Sequence, residues 1–201
     1  MSTRPDADDE STEMPSNVLL LAPSLSGQEQ DVCHQLLHGS DADANGLLVT
    51  CLESPRDRLA AWTDHDHAET GEVAVVDVDM SARSTAAADA VTSLPANATI
   101  ESVSTEEGLV DLGEAIDRQL TRLTATGETA VCLHSVSDLL QHGDERGVFK
   151  FLTVLTNSVA RTDAVAHYHM NPDVHDAETI ETLEVLFDSI VDLRTASVSS
   201  E

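Results

Sequence analysis

The chain has 201 residues, enough for one sizeable core, and 37 Asp and Glu against 10 Lys and Arg leave a net charge of -27. That charge is spread over most of the chain and repels nucleic acid and anionic membrane, which excludes both as partners held by electrostatic attraction. No stretch approaches the roughly 18 to 20 apolar residues of a membrane helix and the N-terminus has no apolar signal core, so a cytoplasmic protein is expected.

In chain order, residues 1–16 carry five acids, two Pro and no hydrophobic period, which predicts a disordered acidic tail. Val18-Leu19-Leu20-Leu21 then opens the domain as a short, continuously apolar run, the mark of a strand buried on both faces. After Gly27 a helix-like segment runs through Leu37. Gly46 to Leu52 reads as a second strand, Ser54-Pro55 as a helix start with Pro in the first turn, and Arg56 to Trp62 as the helix body. Val73 to Val78 is a third strand. The Ala- and Ser-rich segment from Ser81 to Ala98 reads as a loop with a weak helix, and Thr99 to Val103 as a short extra strand.

Leu109, Leu112, Ile116, Leu120 and Leu123 recur at three- and four-residue steps, which predicts an amphipathic helix over Glu107 to Thr124. Thr129 to His134 is the next buried strand, and Glu145 to Arg161 a helix with Val148, Phe151, Leu152, Leu155 and Val159 on one face. A strand over Ala164 to Tyr168, a helix near Ala177 to Leu183 and a strand over Ser189 to Leu193 close the domain, and residues 195–201 form a C-terminal tail. Strands alternating with helices imply a three-layer α/β/α fold around a mainly parallel central sheet.

Lys150 is the only lysine, while Asp recurs in almost every polar segment. This resembles the composition of halophilic proteins, whose carboxylate-rich surfaces stay hydrated while concentrated cations screen their self-repulsion. Cys33, Cys51 and Cys132 show no C-x-x-C spacing and lie within apolar runs. They read as buried free thiols in a reducing interior, with neither a zinc knuckle nor a disulfide frame.

In a P-loop NTPase the first strand runs into G-x-x-x-x-G-K-[ST] and a helix, so that backbone N–H groups wrap the phosphates, the Lys neutralises them and the hydroxyl holds magnesium. Here the first strand runs into Ala22-Pro23-Ser24-Leu25-Ser26-Gly27-Gln28-Glu29. Gly27 falls at the second glycine, Gln28 at the Lys, Glu29 at the hydroxyl residue and Ala22 at the first glycine. A carboxylate at Glu29 adds like-charge repulsion beside triphosphate. At the end of Ala130-Val131-Cys132-Leu133-His134-Ser135, His134 stands where an Asp would position magnesium.

The layout from Asn17 to Arg194 resembles the RecA superfamily and, within it, the KaiC-like group. Val49-Thr50-Cys51-Leu52-Glu53-Ser54-Pro55 is similar to that group's second strand ending in an acidic pair and Ser-Pro, with one acid kept at Glu53, and His134-Ser135 is similar to its Asp-Ser motif. The likeness points to a haloarchaeal branch in which both nucleotide motifs have decayed. It implies a non-catalytic RecA/KaiC-like domain acting as a regulatory or signalling module, with a homo-oligomer or an unnamed protein as partner and with no catalytic residue. Its vestigial nucleotide site comprises Ser24, Ser26, Gly27, Gln28, Glu29, Glu53, His134 and Ser135. No cofactor is expected, ATP being disfavoured.

Two alternatives stay open. One is an unorthodox ATPase or nucleotide sensor that uses Glu53 and His134 with a remodelled phosphate cradle. The other is a metal sensor built on His167, His169 and His175, with Asp173 or Asp176 as a carboxylate ligand. His65 and His67 lie in a polar run and read as solvated loop, Ser135 lacks the glycine-flanked elbow of a hydrolase nucleophile, and Trp62 reads as core. The charge itself makes a testable statement: thermal melts in decreasing KCl should show the fold losing stability as screening is withdrawn, and full stability without salt would contradict it.

Overall fold

Runs of Val and Leu that are apolar at every position leave neither face of a strand suited to water, and they assemble here as the interior of a sheet covered on both sides. The computed structural model describes residues 15–23, 29, 32–33, 35–36, 44–63, 71–79, 94–104 and 108–194. Its strands are β1 (Asn17–Leu21), β2 (Asn45–Thr50), β3 (Val73–Asp79), β4 (Ala98–Ser104), β5 (Thr129–His134), β6 (Val165–Met170) and β7 (Ser189–Asp192). They lie in the order β4-β3-β2-β5-β6-β1-β7, and every described pairing is parallel. β1 and β2 are buried along their whole length, whereas the edge strands β4 and β7 are partly exposed.

The helices are α1 (Pro55–Thr63), α2 (Leu109–Thr124), α3 (Val136–His142), α4 (Glu145–Arg161) and α5 (Ala177–Glu184). The leucine stripe of α2 and the apolar face of α4 cover one side of the sheet. There Ile116, Leu120, Leu152 and Val159 join one cluster with Leu19, Leu47, Leu133 and Tyr168. On the other side, Cys33, Leu59 and Trp62 pack with Leu48, Val75 and Cys132. Glu29, Val32, Cys33, Gln35 and Leu36 have helical backbone. The fold is therefore a three-layer α/β/α sandwich, and no helix among the described residues is long and apolar enough to cross a membrane.

α3 is an element that periodicity did not disclose, since it spans only seven residues. Its signal lies in Ser135-x-x-Asp138: Ser135 caps the helix by accepting a hydrogen bond from the Asp138 N–H. Elsewhere the predicted segments shift by one or two residues, and Thr129–His134 and Glu145–Arg161 coincide with β5 and α4. Most of the Ser81 to Ala98 segment, both chain ends, and Ser24, Ser26, Gly27, Gln28, His65 and His67 lie outside the described residues.

The amino edge of the sheet is closed by two asparagines whose polar groups find partners. Asn17 donates from Nδ2 to the Thr156 carbonyl and accepts from the Tyr168 hydroxyl at 2.8 Å. Asn45 donates from Nδ2 to the Leu123 carbonyl at 2.8 Å and accepts from the Glu72 N–H. At Gly108, the N-cap of α2, φ is 87°, a left-handed conformation that favours glycine. Gly46 is needed for another reason, because an added Cβ would lie 2.7 Å from the buried Trp62 ring. Gly46→Ala should lower stability by about 1–3 kcal/mol through overpacking, read by denaturant unfolding; an unchanged midpoint would show that α1 yields freely.

Candidate functional site

Inside a sheet buried on both faces, a polar side chain is stable only with a partner. β5 and β6 break the apolar pattern together. Cys132 and His134 are two residues apart on β5, as are His167 and His169 on β6, and the two-residue period aims each pair at a single face. The register sets Cys132 beside His167. Above this grid, Glu29 and Cys33 are four apart in helical backbone and so share one side of it.

Two contact sets result. Towards the carboxyl edge, Glu29 Oε1 lies 2.8 Å from His169 Nδ1 and 3.4 Å from His134 Nε2. Deeper in, Cys33 Sγ lies 3.2 Å from His167 Nε2 and 3.9 Å from Cys132 Sγ. The ring centroids of His134 and His169 are 4.7 Å apart, and those of His167 and His169 5.1 Å. Arg58, from α1, donates from Nη2 to Cys132 Sγ at 2.9 Å and pairs through Nη1 with Glu53 at 3.3 Å. Cys33, Cys132, His167 and His169 are all buried.

These contacts move the acidities apart. Burial alone would push the Glu29 carboxyl up, but hydrogen bonds from His134 and His169 reverse the effect and hold it at about 2. Burial disfavours charge on His169 as well, yet Cys132 and then Glu29 lift it to about 9. Of the two close thiols, Cys132 is drawn towards thiolate, because Cys33, His167 and Arg58 together outweigh its burial. Burial pushes the Cys51 thiol up to about 12, and the Asp138 carboxylate adds to the rise.

The carboxyl ends of the strands enclose a cavity of about 230 Å³. It lies in the crevice beyond the carboxyl ends of β2 and β5, where β2 leads away to β3 on one side and β5 to β6 on the other, the place where open α/β sheets bind ligands. Among the described residues lining it, Glu29, Glu53 and Asp138 supply carboxylates and none is lysine or arginine.

Of the residues singled out from sequence, Glu29, Glu53, His134 and Ser135 do converge on this cavity. His167 and His169 stay together, but His175 turns away: its Nε2 lies 2.9 Å from Ser137 Oγ. The expected histidine trio thus separates, and the two remaining histidines meet Cys33 and Cys132 instead. Sequence reasoning missed the meeting of these cysteines, which come from segments 99 residues apart. Their signal was the alternation Cys132-x-His134 beside His167-x-His169, polar residues at strand period inside apolar runs.

Residues 15–193 match the family described as "Family of unknown function (DUF7504)". No curated protein matches the chain. Among solved structures, a Pyrococcus horikoshii OT3 protein from a structural project is similar in fold, with a TM-score of 0.54 and 14% identity over 90% of this chain and 83% of that one.

Ser135 Oγ is engaged on both sides, since it accepts from the Asp138 N–H and donates to Asp138 Oδ2 at 2.8 Å. Ser135→Ala should therefore cost about 1 kcal/mol of stability, as the loss of a helix cap does, and Ser135→Asp should recover part of it. Equal unfolding midpoints for all three proteins would refute the capping role.

Proposed function

Since the chain belongs to the DUF7504 family, whose function is unknown, its own geometry is the guide, and we propose a RecA/KaiC-like domain that acts by binding, as a regulatory or signalling module, without hydrolysing ATP. The observation that carries this reading is the position of Glu29. Its carboxylate sits on His134 and His169 at the carboxyl edge, where the resemblance would put the hydroxyl and the Asp that hold magnesium.

Three further features support it. A phosphate entering the cavity would meet three carboxylates and no lysine or arginine among the described lining residues. The volume of about 230 Å³ is smaller than the few hundred Å³ and more of small-molecule pockets. Ser135, the retained residue of the Asp-Ser echo, is occupied as a helix cap, and Glu53, the retained acid, is paired with Arg58. In the sheet, β6 alone separates β1, which leads into the loop, from β5, which ends in His134, so the two segments that carry the resemblance meet at one edge. The acidic composition fits a halophilic protein.

Calorimetry with Mg-ATP and Mg-ADP in molar KCl tests the reading. No saturable binding at millimolar nucleotide, and no phosphate release above a protein-free blank, are the expected outcomes. Saturable binding with turnover that falls in Glu53→Gln and His134→Ala would replace it with the unorthodox ATPase.

A further inference from the structure

We propose that Cys33, Cys132, His167 and His169 form a tetrahedral site for a thiophilic divalent transition metal, zinc being the one its donor set suits best. One ligand atom from each residue falls in a group whose members all lie within 4.8 Å of one another. The closest spacings agree with metal geometry. Zn–S bonds of about 2.3 Å and Zn–N bonds of about 2.0–2.1 Å in a tetrahedron set the S···S edge near 3.8 Å and the S···N edge near 3.5 Å. The sulfurs of Cys33 and Cys132 are 3.9 Å apart, and Cys33 Sγ is 3.2 Å from His167 Nε2.

The neighbours complete the arrangement. His169 Nδ1 is held by Glu29, which leaves Nε2 as the ligand atom, and that nitrogen is buried with no hydrogen-bond partner among the described residues. A carboxylate behind a ligating imidazole fixes its tautomer and raises its basicity, which assigns Glu29 a positioning role. Arg58 donates to Cys132 Sγ as a backing donor does to a metal-bound thiolate, and its own charge is met by Glu53. Two thiolates, two neutral imidazoles and one dication make the centre neutral, so a buried location is electrostatically tolerable; binding displaces to solvent the thiol and imidazole protons that the metal-free cluster still holds. The alternative set of Glu29, His134 and His169 offers three donors and no sulfur, and it competes for the same imidazole.

This site is independent of the nucleotide question: metal content and Mg-ATP calorimetry can succeed or fail separately. The test uses the full chain without an affinity tag, reduced, in molar KCl. Elemental analysis should find about one zinc per chain, and after chelation a cobalt(II) titration should restore about one equivalent with a thiolate-to-cobalt charge-transfer band and strong tetrahedral d–d bands. Cys33→Ser and Cys132→Ser should each weaken the charge-transfer band and bind cobalt at least about tenfold less tightly, whereas Cys51→Ala, which removes a buried thiol outside the cluster, should match the wild type. Glu29→Ala should keep the four-ligand spectrum but lower affinity about tenfold. Should a cysteine variant fail to fold, the wild-type titration decides alone. Reduced, folded wild type with neither stoichiometric metal nor a thiolate–cobalt band overturns the proposal. Cobalt spectra unchanged in both cysteine variants, or recovery of the two sulfurs only as a disulfide, does the same.

Discussion

The carboxylate of Glu29, pressed between the imidazoles of His134 and His169, ties the segment after β1 to the two strands beside it, β5 and β6. Its distances of 3.4 and 2.8 Å make it the hinge between two polar layers on that face of the sheet. Above it lies the acid-lined cavity, and below it the cluster of thiols and imidazoles. An acid at that position meets both histidines with opposite charge, while the same acid is hostile to phosphate. One side chain thereby places negative charge at the cavity and orders the two histidines beneath it.

The two edges of the sheet divide the work. At the amino edge, Asn17 and Asn45 satisfy the backbone and side-chain groups around them, so polar burial there fixes the strands relative to α2 and α4. At the carboxyl edge, His134 Nδ1 and His169 Nε2 are buried without a hydrogen-bond partner among the described residues. Such unmet groups cost free energy, typically ~1–3 kcal/mol each, and they concentrate where a ligand or an ion supplies the missing contact.

Much of the fold was legible because its signals are local. The all-apolar runs of β1 and β5 and the leucine stripe of α2 each declare a buried surface within one segment. α3 was harder, since seven residues hold fewer than two full periods and the cap at Ser135 is the stronger mark. Of the site, Glu29, Glu53, His134 and Ser135 were grouped by the resemblance, and the structure brings all four to one cavity. The grouping of His167 and His169 with His175 did not hold, because the turn at Pro172–Val174 carries His175 to Ser137.

From sequence alone came the layering and the acidity, because hydrophobic period and charge are properties of single segments. The partnership of Cys33 with Cys132, and of Glu29 with two histidines, was settled only by tertiary structure. Neither pair is near in sequence, and their meeting depends on the parallel register that sets Cys132 beside His167 and on a helical segment crossing above both strands. Spacing along a chain carries no record of such a crossing.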